Sequence, residues 1–183
     1  MVKKNQEKKE SKPRVIKTEI NLKEPPAYVP GLKLNIGSGV DYKEGFLNID
    51  KYDSSADANW DAKELPLNDN SVAQIFAHQL LEHLGTHEIL PTLKEWHRVL
   101  KAKGNVIVIV PDLVSICEKV LKNPEDEWNL AKLFGNQEHE GQFHKTGFTP
   151  KRLFKLFGFA GFRQVNSAYL GDAEKHIYIE AIK

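Results

Sequence analysis

The sequence predicts an α/β fold in which helices pack against a largely parallel sheet. Short apolar runs alternate along the chain with segments whose apolar residues recur at helical spacing. The run VIVIV at residues 106–110 is apolar at every position, which is typical of a parallel strand covered on both sides by helices. Strands that alternate with helices imply right-handed crossovers within a single sheet.

The composition limits the classes of protein to which the chain can belong. Its 183 residues suffice for one domain with a substantial core, and its net charge of +1 provides no general attraction for nucleic acid or an anionic membrane. A single cysteine, Cys117, excludes an intramolecular disulfide and fits a reducing compartment. We therefore expect a cytoplasmic protein with no secretory signal and no membrane span.

Residues 1–30 are predicted to form a charged, flexible arm, and residues 31–183 the folded domain. The arm is rich in lysine and glutamate, and after Val2 it has no large apolar residue until Val15. Such a segment buries too little surface to offset its ordering entropy. A solvated tail is therefore favoured over an arm whose lysines bind phosphates.

The individual elements follow from apolar runs and from capping residues. Strands are predicted over residues 32–36, 46–50, 72–78, 105–111, 162–170 and 176–182. A first helix is predicted from the spacing of Ile89, Leu93, Trp96 and Leu100, with Gly104 as its C-cap. The apolar face of a second predicted helix consists of Leu113, Ile116, Cys117, Val120 and Leu121. A third begins at Asn123 and Pro124 and ends at Gly135, and a fourth begins at Thr149 and Pro150 and ends at Gly158.

Two glycines and an aspartate mark a candidate nucleotide site. Gly37 and Gly39 directly follow the first strand, and Asp50 ends the second. Ligands of open α/β sheets bind beyond the carboxyl ends of the strands, where glycine lets the backbone approach closely. A carboxylate in the position of Asp50 accepts hydrogen bonds from ribose hydroxyls, both in NAD sites and in S-adenosylmethionine sites.

The spacing favours S-adenosylmethionine over NAD. The dinucleotide fingerprint needs a third glycine and a helix whose N-terminus binds the pyrophosphate, but only residues 37–45 separate the two strands. S-adenosylmethionine has no phosphate and needs no such helix. We expect a compact parallel crossover; an antiparallel pair is the alternative, and it would move Asp50 away from the glycines.

The segments LNIGSG, GFLNID, DAKELPLNDNSVAQIFAHQLLEHL and LKEWHRVLKAKGNVIVIVPD together resemble the class I S-adenosylmethionine-dependent methyltransferases. The chain is most similar to small bacterial and phage members in which the glycine turn leads almost directly into the second strand. The resemblance covers about residues 32–112. It implies a Rossmann-like three-layer α/β/α sandwich, mostly parallel with an antiparallel C-terminal strand, and S-adenosylmethionine as the cofactor.

The resemblance also implies which residues hold the cofactor. Asp61 would accept from the adenine amino group, the backbone amide of Ala62 would reach a ring nitrogen, and His78 would lie near the methionine moiety. A helix N-cap is an alternative role for Asp61, compatible with the first. Asn35 replaces the Asp or Glu of many members, so it brings no charge to the turn. The predicted cofactor-binding residues are Asn35, Gly37, Ser38, Gly39, Asp50, Lys51, Asp61, Ala62 and His78.

Three residues are candidates for contact with a methyl acceptor. His144, in the loop EHEGQFHKTGF, is the first candidate for acceptor contact or general base. Glu82 and His83 come next, at the start of the helix expected after the strand at residues 72–78. Structural or surface histidines are the alternative. The resemblance implies methyl transfer to a small-molecule or glycan acceptor, with a sugar as the first candidate. A non-catalytic module that binds S-adenosylmethionine or a protein partner is the alternative. Nucleic acid is not expected, and the oligomeric state stays open.

No metal site is predicted. His83 and His87 are four residues apart and His139 and His144 five, but the H-E-x-x-H pattern is absent. Gly85 and Pro91 are expected to interrupt the helix that would hold the first pair.

Overall fold

The computed structural model describes residues 29–171 and 175–183, so all but the end of the predicted arm lies outside the described residues. The strands are β1 (Lys33–Ile36), β2 (Leu47–Ile49), β3 (Val72–His78), β4 (Leu100–Pro111), β5 (Arg163–Leu170) and β6 (His176–Ile182). The helices are α1 (Thr86–Val99), α2 (Leu113–Lys122), α3 (Glu127–Phe134) and α4 (Pro150–Ala160), with short 3-10 helices at Leu81–His83 and Glu140–Gln142. No helix in the described ranges has the length and apolar character needed to cross a membrane.

The six strands form one mixed sheet in the order β2-β1-β3-β4-β6-β5. Strands β1 to β4 are parallel, β6 is antiparallel to β4, and β5 is antiparallel to β6. The predicted Rossmann-like α/β fold, with a mostly parallel sheet and an antiparallel C-terminal strand, is confirmed.

The connection between β1 and β2 is the compact parallel crossover that the sequence favours. Strand β1 pairs with β2 in parallel, with Asn35 opposite Asn48, and none of residues 37–46 is helical. The Asn35 side-chain amide donates to the Asp41 carbonyl at 2.9 Å and to Asn48 Oδ1 at 2.8 Å. These buried bonds replace the packing that a crossover helix would provide, and the antiparallel alternative is wrong.

The two faces of the sheet are buried to different extents. Val106, Val108 and Val110 of β4 are fully buried, in one core with the apolar faces of α1 and α4, which pack against each other. Ile107 and Ile109 point to the opposite face and stay partly exposed. The alternation differs from the uniform burial that the VIVIV run predicts.

Several predicted helix ends are wrong. Helix α1 ends at Val99, and Gly104 lies inside β4, where a Cβ atom would come within 3.0 Å of the Ala73 carbonyl oxygen. Asn123 caps the end of α2, whereas Asp126 caps the start of α3 by accepting from two backbone amides. Helix α4 begins after Thr149 as predicted but continues through Gly158.

Helix α4 ends at Gly161, whose φ of +102° is one that few other residues adopt. Pro91 lies inside α1 without ending it. Glu82 and His83 form a separate 3-10 turn rather than the start of α1, which begins at Thr86.

Candidate functional site

The candidate site lies where the carboxyl ends of β1, β2 and β3 meet. Strand β1 lies between β2 and β3 in the sheet. The connection from β1 therefore leads to its neighbour on one side, and the connection from β2 leads to β3 on the other side. Such a switch point leaves a crevice beyond the strand ends, and open α/β sheets bind ligands there. Residues 37–39 form a turn at this place.

The two glycines of the turn serve different purposes. Both have positive φ, +70° at Gly37 and +46° at Gly39. A Cβ atom on Gly37 would lie 2.9 Å from Leu80 Cδ1, whereas on Gly39 it would meet nothing within 4 Å among the described residues. The amides of Gly37 and Ser38 both donate to the Ile49 carbonyl, which fixes the turn to β2. Gly37 is therefore needed for packing, and Gly39 borders open space.

Asp50 is bonded directly to this turn. Its Oδ2 accepts from the Gly39 amide at 2.9 Å, and its Oδ1 accepts from the amides of Tyr52 and Asp53 at 2.8 and 2.9 Å. A carboxylate has about four acceptor positions, so Oδ2 keeps one that these three bonds do not use. Beside it, the buried Ser38 hydroxyl has no hydrogen-bond partner in the described part of the chain. The remaining acceptor position of Asp50 and the open space at Gly39 leave room for a polar ligand.

Asp61 holds a turn and an ion pair rather than a helix end. Residues 61–64 are not helical, so the N-cap alternative is wrong. Burial alone would raise the pKa of Asp61, but the Lys63 backbone amide and the Lys51 ammonium, 3.0 Å from Oδ2, outweigh it and lower the pKa. The next carbonyl, of Ala62, accepts from the buried Trp96 indole at 2.9 Å. The carboxylate is thus ionised and fixed; its contact with adenine stays a prediction.

Asn35 lies in β1 just before the glycine turn, and His78 lies at the end of the neighbouring strand β3. Both amide hydrogens of Asn35 are used within the crossover, so only its carbonyl oxygen remains to accept from a ligand ammonium. His78 ends β3, with Nδ1 3.8 Å from Asp41 Oδ2, and burial lowers the pKa of its imidazole. Their roles toward the cofactor also stay predictions.

The three predicted acceptor-contacting residues meet in one cluster. Glu82 and His83 lie in the 3-10 turn after β3, and His144 in the loop before α4. One nitrogen or oxygen atom from each lies within 4.8 Å of the others. The two imidazole rings pack edge to face, with centroids 4.8 Å apart.

The hydrogen bonds of both histidines fix their tautomers. His83 Nδ1 lies 3.2 Å from the Phe143 carbonyl oxygen, and His144 Nδ1 lies 2.8 Å from that of Lys132. Because a carbonyl only accepts, each Nδ1 carries the hydrogen and each Nε2 keeps its lone pair. Burial, together with the neighbouring His144, lowers the pKa of His83 to about 4, and burial lowers that of His144 as well. Both rings are neutral at pH 7.

Glu82 is a buried carboxyl group without side-chain partners. It is 2% exposed, and neither of its side-chain oxygens has a hydrogen-bond partner among the described residues. Burial raises its pKa to about 8. Its backbone carbonyl, by contrast, accepts from the amides of Lys145 and Thr146 at 2.7 and 3.1 Å. The loop that carries His144 is therefore anchored on Glu82.

A cleft of about 340 Å³ opens beside this cluster. Besides His83 and His144 it is lined by residues that the sequence analysis did not select, including Gln79, Ser115, Lys119, Trp128 and His176. Gln79 directly follows β3, so its place at a strand end was a usable signal. His176 has no such signal, because only the antiparallel pairing of β6 brings it within 3.2 Å of Gln79. His87 and His139 are exposed and stay outside the cluster.

Comparisons with known proteins agree with this architecture. A family model described as a methyltransferase domain matches residues 33–108. No curated protein matches the chain. Among solved structures, an S-adenosylmethionine-dependent methyltransferase from Archaeoglobus fulgidus aligns with a TM-score of 0.62 and 15% identity, over 86% of this chain and 89% of that one.

Two further structures show the same likeness. A methyltransferase of this kind from Methanosarcina mazei aligns with a TM-score of 0.61 and 18% identity, over 85% of this chain and 94% of that one. The 1,6-didemethyltoxoflavin-N1-methyltransferase of Burkholderia thailandensis, solved with its substrate and S-adenosylhomocysteine, aligns with a TM-score of 0.57 and 15% identity, over 88% and 72%. Identities this low show the fold alone. The family model covers fewer than half of the residues, so the comparisons together show that the chain shares the fold of these S-adenosylmethionine-dependent methyltransferases.

Proposed function

We propose that the protein transfers a methyl group from S-adenosylmethionine to an acceptor bound in the cleft beside Glu82, His83 and His144. One observation carries this proposal: the Asp50 carboxylate is bonded to the Gly39 amide, next to an unpaired buried hydroxyl and open space. A nucleoside requires a carboxylate acceptor beside a backbone turn that it can approach closely. The crossover between β1 and β2 contains no helix whose N-terminus could bind a pyrophosphate.

The chain's own residues act at two ends of the site, one that binds the cofactor and one that binds the acceptor. When bound, S-adenosylmethionine supplies a methyl group that its sulfonium makes electrophilic, so the protein has only to position the acceptor and exclude water. Asp50 and the turn of residues 37–39 hold the ribose, and Asp61 with the Ala62 amide holds the adenine. Asn35 braces the turn, Lys51 fixes Asp61, and His78 borders the methionine end.

The acceptor end suits a small polar molecule. The cleft volume of about 340 Å³ lies at the lower end of the range of about 300–1,000 Å³ for ligand pockets. Its lining combines the Trp128 indole with hydrogen-bonding side chains and with Lys119 and Lys132, which suit an anionic group such as a phosphate. These features support a sugar, free or within a glycan, or another small metabolite as the acceptor.

His144 is placed to act on an acceptor proton. Its Nε2 keeps a lone pair, its ring is neutral at pH 7, and it lines the cleft. An acceptor hydroxyl would donate its proton to Nε2 while its oxygen bonds to the methyl carbon. When bound, S-adenosylmethionine would supply the methyl carbon to this oxygen, and its sulfur would keep the electron pair of the sulfur–carbon bond.

Calorimetric titration with S-adenosylmethionine, S-adenosylhomocysteine and NAD in parallel tests the cofactor. We expect affinities in the micromolar range for the first two and no heat from NAD. A folded protein that binds none of the three, with or without sugar phosphates present, contradicts the proposal.

Turnover separates an enzyme from a binding module. S-adenosylhomocysteine should accumulate only when a true acceptor from a panel of sugars and sugar phosphates is present. Cofactor binding without turnover on any acceptor would favour the non-catalytic alternative.

A further inference from the structure

We propose that Glu82, His83 and His144 form a binding site for one divalent transition-metal ion, such as Zn²⁺, at the edge of the acceptor cleft. This inference departs from the sequence-based expectation of no metal. It deepens the proposed function, because it rests on that function for the reaction that the ion would assist.

The donor set has the composition of an open metal site. Two imidazoles and one carboxylate are the ligands of zinc hydrolases and of non-haem iron enzymes, in which the remaining positions take water or substrate. One donor atom of each residue lies within 4.8 Å of the other two. Ligands about 2.1 Å from an ion lie about 3.4 Å apart in a tetrahedron, so a contraction of up to about 1.4 Å completes the site.

The hydrogen bonds around the histidines are those expected of metal ligands. A ligating imidazole donates its other ring N–H to a carbonyl or carboxylate, which fixes the ring and directs its lone pair at the ion. His83 and His144 each do this, through Nδ1 to the backbone carbonyls of Phe143 and Lys132. Their Nε2 atoms are consequently the ones free to ligate.

Glu82 supplies the second, independent observation. A buried carboxyl group with both oxygens unpaired is costly, and native structures rarely leave one without a partner. Glu82 is 2% exposed, no described residue pairs with either oxygen, and both neighbouring rings present a lone pair rather than an N–H. A cation between the three side chains would take the place of the carboxyl proton and coordinate a Glu82 oxygen and both imidazole lone pairs.

The position of the site indicates what the ion would do. His83 and His144 line the acceptor cleft, so the open ligand positions face it. A divalent ion lowers the pKa of a hydroxyl that it binds. The acceptor would then lose its proton to water, its oxygen would bond to the methyl carbon as the sulfur–carbon bond breaks, and sulfur would keep the electron pair. The site therefore points to an oxygen acceptor, activated without His144 as base.

The test is a titration of the untagged, chelator-treated full chain with Co²⁺ alone, followed by visible absorption. We expect one ion per chain, a spectrum of four- or five-coordinate cobalt, and displacement by Zn²⁺. His144→Ala and the nearly isosteric Glu82→Gln should each weaken cobalt binding at least about tenfold. His87→Ala is the matched control, since His87 is exposed and outside the cluster, and it should bind cobalt as the wild type does.

Two results would overturn the inference: no stoichiometric cobalt binding, or equal affinity in the wild type and His144→Ala. Glu82→Gln keeps the test decisive if His144→Ala fails to fold. Titration of the metal-free chain with S-adenosylhomocysteine separates this inference from the proposed function. Binding of S-adenosylhomocysteine without cobalt binding leaves the methyltransferase proposal intact, with His144 as base. Cobalt binding without S-adenosylhomocysteine binding leaves the metal site and removes the methyltransferase.

Discussion

At the residue scale, the hydrogen bond from the Gly39 amide to Asp50 makes the turn and the carboxylate one unit. The sequence predicted both partners, because glycines after the first strand and an acid after the second have few other uses. It did not predict the bond between them, which depends on the parallel crossover. The sequence also did not indicate that the Ser38 hydroxyl lacks a hydrogen-bond partner among the described residues, because this depends on the tertiary structure.

Removing the Asp50 carboxylate should weaken cofactor binding. We expect Asp50→Ala to lower the affinity for S-adenosylhomocysteine at least about tenfold, which corresponds to about 1.4 kcal/mol. Glu44→Ala, an exposed carboxylate in the same crossover, is the control and should bind normally. Unchanged calorimetric affinity in folded Asp50→Ala would exclude Asp50 from the site.

The two glycines of the turn should respond differently to substitution. In Gly37→Val the new side chain would collide with Leu80, and valine would also have to adopt an unfavourable positive φ. We therefore expect a lower free energy of unfolding and an affinity for S-adenosylhomocysteine reduced at least about tenfold. Gly39→Ala meets only the φ penalty of about 1–2 kcal/mol, but its methyl group enters the space proposed for the ligand. Thermal unfolding and calorimetry of both variants check this; normal binding by Gly39→Ala would place the ligand elsewhere.

At the element scale, strands were easier to predict than helix ends. Five of the six strands coincide with apolar runs, because burial in a sheet needs apolar residues; β5, at the edge of the sheet, is largely exposed. Helix ends depend on which glycine or cap the tertiary structure uses. Gly104 and Gly158 looked like helix stops, yet the first permits close strand packing and the second lies within α4.

The junction between α3 and the following loop controls the position of His144. Gly135 has φ +81°, and a Cβ atom there would overlap the Gln142 carbonyl and lie 2.9 Å from the His144 amide nitrogen. Gly135→Ala should therefore displace the loop and lower both methyl transfer and cobalt affinity, while S-adenosylhomocysteine binding persists.

Gly158→Ala is the matched control for that change. A Cβ atom at Gly158 meets nothing within 4 Å among the described residues, and alanine favours a helix. Cobalt titration and turnover of the two variants make the comparison. Equal behaviour would mean that the position of His144 does not matter.

At the scale of the whole molecule, the cluster of Glu82, His83 and His144 depends on topology. The sequence indicated all three as separate candidates, Glu82 and His83 from their place after a strand and His144 from its loop. Nothing in the spacing showed that a residue 62 positions after Glu82 returns to it, across β4 and three helices. The matched family model ends at residue 108, so His144 also lies outside it.

The unequal burial of the two sheet faces predicts unequal sensitivity to truncation. Ile179 of β6 is fully buried, whereas Ile107 of β4 is partly exposed. Ile179→Ala should cost about 3–4 kcal/mol of unfolding free energy, and Ile107→Ala about 1–2 kcal/mol. Urea unfolding measures both, and equal losses would mean that the face bearing Ile107 is covered in solution.

The attachment of the His144 loop to Glu82 has a consequence for the timing of events in the cleft. The amides of Lys145 and Thr146 both donate to the Glu82 carbonyl, and the amide of His144 donates to Phe134. Swinging this loop aside would break these bonds and separate the three clustered side chains in the same movement. Exchange of the Lys145 and Thr146 amide protons with deuterium therefore reports how often the cluster comes apart.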